Sequence, residues 1–315
     1  MSFTLHCTRC EAAATANGRS YKCARCDRRL PVSHGVVWTS EGEPPPLLGL
    51  ARYASERGWL AAAEKQFESR GLDARKLMTR LNGVRTERLG DWYFLVEPEQ
   101  NGSALLLGDP WGAHMTALSR VMANVVVFEQ DPEVAQYLRV RAEQASLRNL
   151  PAIVSGRGVN DFPFTREQFS LVALVGPWSS RASGVGRAET FQQLIHAAFR
   201  LLRKGGSLVI GIPNRLRLPF TLRNIGRDKI ASTLPAFRAG LARSGFENLQ
   251  FYLPFPDFVD YNALVSLDSR EALRYFHVTY THPRARWKRV VLGAAIDSGL
   301  VPVVAPSYIA TAVKP

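Results

Sequence analysis

Four cysteines, the only ones in a chain of 315 residues, lie within the first 26 positions. They form two Cys-x-x-Cys pairs, Cys7 with Cys10 and Cys23 with Cys26, with twelve residues between the pairs. Each pair can fold as a tight knuckle that presents two thiolates to one metal ion, and two knuckles complete a tetrahedral Zn²⁺ site. The spacing predicts a structural zinc ribbon, with disulfides or a redox motif as the alternatives.

The residues after Met1 lack the apolar run of a secretory signal, which favours a metal site over disulfides. A closed four-thiolate site has no open position for a substrate, so we expect the ribbon to serve folding and presentation. Residues 3–38 also resemble the small zinc-binding activator subunit of tRNA methyltransferases. This resemblance rests on the cysteine spacing, on the polar turn Thr15–Gly18, and on Leu30–Val32 leading to Gly35–Trp38.

The chain is strongly basic, with a formal net charge of +13. Such a charge favours an anionic partner such as RNA, a nucleotide-sugar or a membrane surface. However, 33 of the 40 basic residues are arginines spread along the whole chain, a distribution that also fits an ordinary solvated surface. No segment approaches the roughly 18 uninterrupted apolar residues of a membrane span, so we expect a cytoplasmic protein without a transmembrane segment.

A proline-rich stretch, Glu41–Pro46, predicts a stiff extended linker, because consecutive prolines exclude helix. We therefore place a zinc ribbon at residues 1–40, the linker at 41–46, and one large domain at 47–315. Within this domain, apolar residues at helical spacing from Leu47 to about Leu81 predict two helices broken at Gly71.

After Gly90 the pattern alternates between short apolar strands and amphipathic helices. The predicted strands cover residues 103–107, 124–128, 152–154, 169–175 and 207–212. This alternation predicts an α/β fold with a doubly wound, Rossmann-like parallel sheet. Such a sheet binds its ligand at the carboxyl ends of its strands.

A candidate cofactor turn, Leu107–Gly112, follows the first of these strands. A nucleotide-type cofactor needs a tight turn with little side chain, so that backbone N–H groups can approach it. Glu129 ends the second strand about 20 residues beyond Gly108, where a carboxylate can accept hydrogen bonds from both ribose hydroxyls of an adenosine.

At this turn, at Glu129, at Phe162–Phe164 and at Leu201–Asn214, the chain resembles the class I S-adenosylmethionine-dependent methyltransferases. The resemblance covers roughly residues 85–215 and the C-terminus, where 251–255 and 307–313 look like the closing antiparallel strands. It implies S-adenosylmethionine as cofactor. The cofactor-binding residues it implies are Gly108, Asp109, Trp111, Gly112, Glu129, Gln130, Asp161 and Pro177.

Within that superfamily, Asp91–Tyr93, Trp111–Gly112 and Tyr252–Asp257 are similar to segments of bacterial enzymes encoded with polysaccharide-assembly genes. This similarity implies a small-molecule or glycan acceptor. The chain departs from the family pattern at positions that usually contact the cofactor or open the fourth strand: Leu106, Pro110, Gly158 and Ser170. Because of these departures, a non-catalytic scaffold that binds a partner protein is an alternative interpretation of the sequence.

The candidates for acceptor chemistry are His114, His277 and His282, as general bases, and Trp178, which can stack on a planar or sugar acceptor. An insertion at about 259–301 carries six basic residues, and arginine forks bind phosphate bidentately. A phosphorylated acceptor is one implication. The other implication is an RNA methyltransferase whose ribbon and insertion bind the phosphate backbone of the RNA.

Overall fold

The computed structural model describes residues 4–69, 71, 74–97, 99, 101–109, 111–147, 149, 151–175, 190–216, 231–280 and 286–315. The strands are β1 (Leu5–His6), β2 (Ala13–Asn17), β3 (Ser20–Cys23), β4 (Arg29–Ser33), β5 (Val36–Trp38), β6 (Ser103–Leu107), β7 (Asn124–Glu129), β8 (Ala152–Ser155), β9 (Phe169–Leu174), β10 (Leu202–Pro213), β11 (Glu247–Phe255), β12 (Ala263–Ser266) and β13 (Ser307–Val313). The helices are α1 (Gly49–Arg57), α2 (Trp59–Ser69), α3 (Ala74–Arg85), α4 (Ala113–Ser119), α5 (Pro132–Gln144), α6 (Phe191–Leu201), α7 (Leu234–Arg243), α8 (Arg270–Tyr280), α9 (Arg286–Asp297) and α10 (Val301–Val304), with 3₁₀ helices η1 (Arg88–Leu95) and η2 (Val159–Asp161).

The large sheet has the strand order β5-β8-β7-β6-β9-β10-β13-β11-β12. Strands β5 to β10 in this order run parallel, whereas β13, β11 and β12 pair antiparallel at the far side. The predicted doubly wound, Rossmann-like sheet is therefore confirmed. The two segments expected to close it, 251–255 and 307–313, are strands β11 and β13.

Successive side chains of each central strand pack in two separate hydrophobic layers, because they point to opposite faces of the sheet. On β6, Leu105 and Leu107 join the layer covered by α6 and α7, while Ala104 and Leu106 join the layer covered by α1 to α5. Leu106, one of the departures noted in the sequence, is thus a core side chain. Both faces are buried, as parallel sheets require.

Helices α5 and α6 begin at side-chain caps. Asp131 accepts hydrogen bonds from the backbone N–H groups of Glu133 and Val134 at the start of α5, and Pro132 occupies the first helical turn. Thr190 and Gln193 form a reciprocal capping box at the start of α6. Such caps satisfy N–H groups that the helix itself leaves unpaired.

The N-terminal ribbon is continuous with the large sheet. Strands β1 to β5 form an antiparallel series, and β5 also pairs in parallel with β8 through Val36 opposite Ile153 and Trp38 opposite Ser155. The backbone N–H of His6 further donates to the carbonyl oxygen of Pro163, 2.8 Å away. The ribbon's last strand is therefore shared between the ribbon and the large sheet.

The segment before the first central strand holds three helices, so the prediction of two helices is wrong. The additional break is at Gly58, which ends α1 with φ of +94°, a backbone conformation that favours glycine. The insertion between β11 and β13 adds an edge strand, β12, and helices α8 to α10. Within the described ranges, no helix is long and apolar enough to cross a membrane.

Candidate functional site

The four cysteine sulfurs lie together, all within 4.8 Å of one another. The Sγ atoms of Cys7 and Cys26 are 3.5 Å apart, and those of Cys10 and Cys23 are 3.4 Å apart. These separations are too long for a disulfide. A tetrahedral Zn²⁺ with bonds of about 2.3 Å would hold its sulfur ligands roughly 3.8 Å apart, so the donor set fits this metal.

Both knuckles have the sequence Cys-x-Arg-Cys, and in each the arginine backbone N–H donates to the first sulfur. The distances are 3.4 Å from Arg9 to Cys7 and 3.3 Å from Arg25 to Cys23. The hydrogen bond from Arg25 lowers the pKa of the Cys23 thiol to about 6. This bond therefore favours the thiolate form of Cys23, which a metal ion needs, whereas the contact with the Cys23 sulfur raises the pKa of Cys10 to about 12.

The glycine turn and Glu129 lie side by side at the carboxyl edge of the sheet. Strands β6 and β7 pair in register with Leu107 opposite Phe128, so the next residues of both strands emerge together. Gly108 and Gly112 have φ of +75° and +72°. A Cβ on Gly112 would also lie 2.9 Å from Arg141 Cδ. Glycine at position 112 is required both by its backbone conformation and by close packing.

Asp109 and Trp111, both predicted to bind a cofactor, make contacts inside the protein. Asp109 is 2% exposed, and its Oδ2 accepts a hydrogen bond from the backbone N–H of Met115 at 2.7 Å, which ties the turn to α4. The Trp111 ring packs against Phe67 of α2, with ring centroids 4.5 Å apart, and edge-on against Tyr137 of α5. Both side chains therefore fix the shape of the turn.

Glu129 is the most distinctive group at this edge. Its side chain is buried, with 8% of its surface exposed, and Oε1 accepts a hydrogen bond from the backbone N–H of Gln130 at 2.9 Å. Oε2 is buried and has no hydrogen-bond partner among the described residues. Burial raises the pKa of the carboxyl group to about 7, and the nearby charge of Asp109 contributes to the shift.

Gln130 and Asp161 converge on the loop after β8. The Gln130 amide donates to the carbonyl oxygen of Arg157 at 3.0 Å, and an Asp161 carboxylate oxygen accepts from the Arg157 N–H at 2.7 Å. Gln130 Oε1 is buried and, within the described part of the chain, lacks a hydrogen-bond partner. Two unpaired acceptors on consecutive residues, Glu129 and Gln130, thus lie at the carboxyl end of β7.

The other predicted site residues fall in different places. His114 is buried, accepts a hydrogen bond from Trp92 Nε1 at Nδ1 (3.1 Å), and hydrogen-bonds to the backbone of Leu89. Burial lowers the pKa of this imidazole, which holds η1 against α4. His277 lies on α8 against α9, where a Cβ on Gly293 would be 3.1 Å from its Nε2. Pro110, Pro177, Trp178 and His282 lie outside the described residues.

The predicted arginine forks of the insertion are partly engaged within the protein. Arg274 donates to an Asp297 carboxylate oxygen at 2.7 Å, and Arg270 lies 3.6 Å from the same oxygen. Both pairs are about half exposed, so water screens them. Arg284 and the side chains of Arg286, Lys288 and Arg289 lie outside the described residues.

Sequence reasoning missed a polar cluster beside η1. Tyr261 donates a hydrogen bond to the carbonyl oxygen of Leu89 at 2.6 Å, which holds the segment after β11 against η1. The adjacent Asp260 lies 3.7 Å from Arg80, and its Oδ1 is buried without a partner among the described residues. Burial raises the pKa of the Asp260 carboxyl. The signal for this cluster in the sequence is the run Asp257–Tyr261, which begins at the last residue of the segment Tyr252–Asp257.

The strand order defines a doubly wound, Rossmann-like α/β fold. No protein-family model and no curated protein matches the sequence. Among solved structures, the chain is similar to phosphoethanolamine N-methyltransferase 2 of Haemonchus contortus, in complex with phosphomonomethylethanolamine and S-adenosylhomocysteine, at 16% identity and a TM-score of 0.46. That alignment covers 72% of this chain and 52% of the other, so the chain spans about half the length of that protein.

Two further similar structures differ in their described activities. One is an S-adenosylmethionine-dependent methyltransferase of Thermotoga maritima, at 14% identity and a TM-score of 0.46, covering 85% of this chain and 100% of the other. The other is the cyclase SpnF, at 16% identity and a TM-score of 0.44, covering 73% and 80%. Because one fold hosts many reactions, the function must be argued from the site itself.

Proposed function

We propose that the chain binds S-adenosylmethionine and transfers its methyl group to a small-molecule, glycan or phosphorylated acceptor. The observation that carries this proposal is the buried, unpaired Oε2 of Glu129 beside the glycine turn. A buried carboxylate oxygen without a donor is costly, so its persistence in a folded protein points to a donor that arrives with a ligand. A ribose diol supplies hydroxyl donors at this position of a doubly wound sheet.

The neighbouring residues support a nucleoside ligand at the same edge. Gly108 and Gly112 carry no side chains, and those of Asp109 and Trp111 are engaged inside the protein. Gln130 adds a second unpaired acceptor next to Glu129. S-adenosylmethionine supplies a methyl group already activated on sulfonium. The protein's own residues then have to bind the nucleoside, align the acceptor and exclude water, because a direct displacement depends mainly on alignment.

We further propose that Cys7, Cys10, Cys23 and Cys26 hold a structural Zn²⁺. The support is the mutual distance of their sulfurs and the backbone N–H groups of Arg9 and Arg25, which donate to the sulfurs of Cys7 and Cys23. Four protein ligands complete the coordination, so this metal would stabilise the ribbon and take no part in the reaction.

For the acceptor side, we propose the segment around Asp260 and η1. Tyr261 joins this segment to η1, and the Trp92–His114 hydrogen bond joins η1 to the helix that follows the glycine turn. Asp260 has a buried oxygen free of partners within the described part of the chain. A carboxylate with a raised pKa can accept a hydrogen bond or a proton from an acceptor hydroxyl or amine.

The test is calorimetric titration of the purified protein with S-adenosylhomocysteine. The wild-type chain should bind, and Glu129→Gln should weaken binding by at least about tenfold, because a hydrogen bond to a charged acceptor contributes about 1.5–3 kcal/mol. Glu64→Gln is the matched control, since Glu64 is exposed on α2. Unchanged affinity in the Glu129 variant would remove the assigned ribose contact.

A scaffold without transfer activity is the second candidate, favoured by Asp109, whose Oδ2 is committed to the start of α4. It predicts no binding of S-adenosylmethionine or S-adenosylhomocysteine by wild-type protein. If RNA is the substrate, the protein should instead bind RNA with an affinity that falls steeply as the salt concentration rises. The ion pairs of Arg270 and Arg274 with Asp297 leave fewer free cations in the insertion for such a partner.

A further inference from the structure

The segment that leaves the ribbon crosses the carboxyl edge of the sheet and is fastened at both ends. We call residues 39–46 the strap. At its first end, the backbone N–H and the hydroxyl of Thr39 both donate to the carbonyl oxygen of Ser155, at 2.9 and 3.0 Å. Thr39 also lies so close to Gly156 that a Cβ there would be 2.3 Å from its Oγ1. The strap therefore begins directly on the end of β8.

At its second end, the strap is held by α5. The Gln136 side chain is 1% exposed, and its amide nitrogen donates to the carbonyl oxygens of Pro45 and Pro46, at 3.3 and 3.0 Å. Its amide oxygen accepts from the backbone N–H of Leu48 at 2.8 Å. One buried amide thus satisfies three backbone groups of the incoming chain, which fixes where the strap ends.

Between these two fastenings, the strap roofs a cavity of about 190 Å³. Its other walls include Gln130, which follows β7, and Gly156 and Arg157, which follow β8. Gln130 contributes a buried oxygen that has no partner among the described residues. A buried amide oxygen of this kind calls for an N–H or O–H donor, and Gln130 is one of the residues that line the cavity.

We propose that the strap is a wall of the cofactor site, and that the purine base of the cofactor lies beneath it with an N–H group directed at Gln130. This inference rests on the proposed function, because it assigns the strap to the same nucleoside edge as Glu129. The link between the two is short: the backbone N–H of Gly156, under the strap, donates to the carbonyl oxygen of Glu129 at 3.3 Å.

The ribbon sets the position of the strap through one side chain. Arg28 donates from Nη2 to the carbonyl oxygen of Thr39 at 3.0 Å, while its own carbonyl oxygen accepts from the backbone N–H of Cys23 at 2.8 Å. The second cysteine knuckle, Arg28, Thr39 and the end of β8 therefore form one continuous chain of hydrogen bonds. Removing the hydrogen bond from Arg28 to Thr39, or that from Thr39 to Ser155, should release the first end of the strap.

The experiment compares calorimetric titrations of S-adenosylhomocysteine into wild type, Thr39→Val and Arg28→Ala. Each variant removes a strap hydrogen bond, and we expect affinity to fall about five- to tenfold, the effect of one such bond. Arg29→Ala is the matched control, because it removes the same charge from the same ribbon at an exposed position. Its affinity should equal that of wild type, and thermal unfolding confirms that each variant is folded.

Amide hydrogen exchange gives a second readout that needs no variant. Binding of S-adenosylhomocysteine should slow exchange at residues 40–43, as expected for a segment that covers the ligand. Wild-type binding with equal affinity in all variants, or unchanged exchange in the strap, overturns this inference and leaves the proposed function standing. Failure of the wild type to bind overturns the proposed function and this inference with it.

Discussion

The guanidinium group of Arg141 donates a hydrogen bond to the carbonyl oxygen of Trp111, in the middle of the glycine turn. It also donates to the carbonyl oxygen of Val84 at 3.0 Å and stacks on the Trp59 ring, 4.0 Å from the centroid. Arg141 is 1% exposed, and burial lowers its pKa. A single cation therefore connects α5, α3 and the candidate cofactor turn.

Replacing Arg141 by methionine should destabilise the protein by about 2–4 kcal/mol, because two buried carbonyl oxygens would lose their donors. Urea unfolding measures this change. Arg139→Met is the control on the same helix: it removes the ion pair with Glu143 but keeps an aliphatic stem beside Gly35, and we expect at most about 1 kcal/mol. Equal effects of the two substitutions would contradict the role assigned to Arg141.

Gly112→Ala should destabilise the protein by about 2 kcal/mol or more. A left-handed backbone costs a non-glycine residue about 1–2 kcal/mol, and the new Cβ would also meet Arg141 Cδ at 2.9 Å. Gly18→Ala separates these two effects, because Gly18 has φ of +60° and open space around the position of a Cβ. Its loss of stability should be confined to the backbone contribution. Thermal unfolding of both variants provides the comparison.

The affinity for S-adenosylhomocysteine should rise with pH. Burial raises the pKa of the Glu129 carboxyl to about 7 in the free protein. Hydroxyl donors stabilise the ionised carboxylate, so binding favours proton release, and affinity should increase about tenfold between pH 6 and pH 8. Titrations across this range test the trend, and Glu129→Gln should flatten it. A flat profile in the wild type would exclude Glu129 as the titrating contact.

The same raised pKa affects the stability of the free protein in the opposite direction. The folded state binds the Glu129 proton more tightly than the unfolded chain does. The resulting stabilisation is complete below the ordinary glutamate pKa of 4.5 and is lost as the pH rises through about 7. Urea unfolding of wild type and Glu129→Gln without ligand should therefore diverge across this interval, with the glutamine variant less sensitive to pH.

Metal analysis of purified protein should find about one zinc ion per chain. Removing it with a chelator should lower the midpoint of thermal unfolding by several degrees, because the four thiolates would lose the metal ion that holds them together. Cys26→Ser should show a similarly low midpoint that the chelator does not lower further. Zinc-free protein with an unchanged transition would remove the ribbon assignment.

The parallel sheet could be predicted because local patterns specify it: apolar strands such as β6 and β7 alternate with amphipathic helices. The same patterns placed Glu129 at the end of β7, next to the glycine turn. The burial of Arg141 could not be predicted, since its hydrogen-bond partners lie 30 and 57 residues away in sequence. Nor could the pairing of β5 with β8, because three residues joining a distant strand carry no local signal.

That pairing determines how the sheet ends on one side. Without Val36–Trp38 alongside it, β8 would present a row of unsatisfied backbone N–H and C=O groups to the surroundings. Exposed rows of this kind recruit strands from other molecules and lead to aggregation. The N-terminal strands thus cover an edge that would otherwise pair with other molecules. A variant that lacks these strands should therefore self-associate or precipitate.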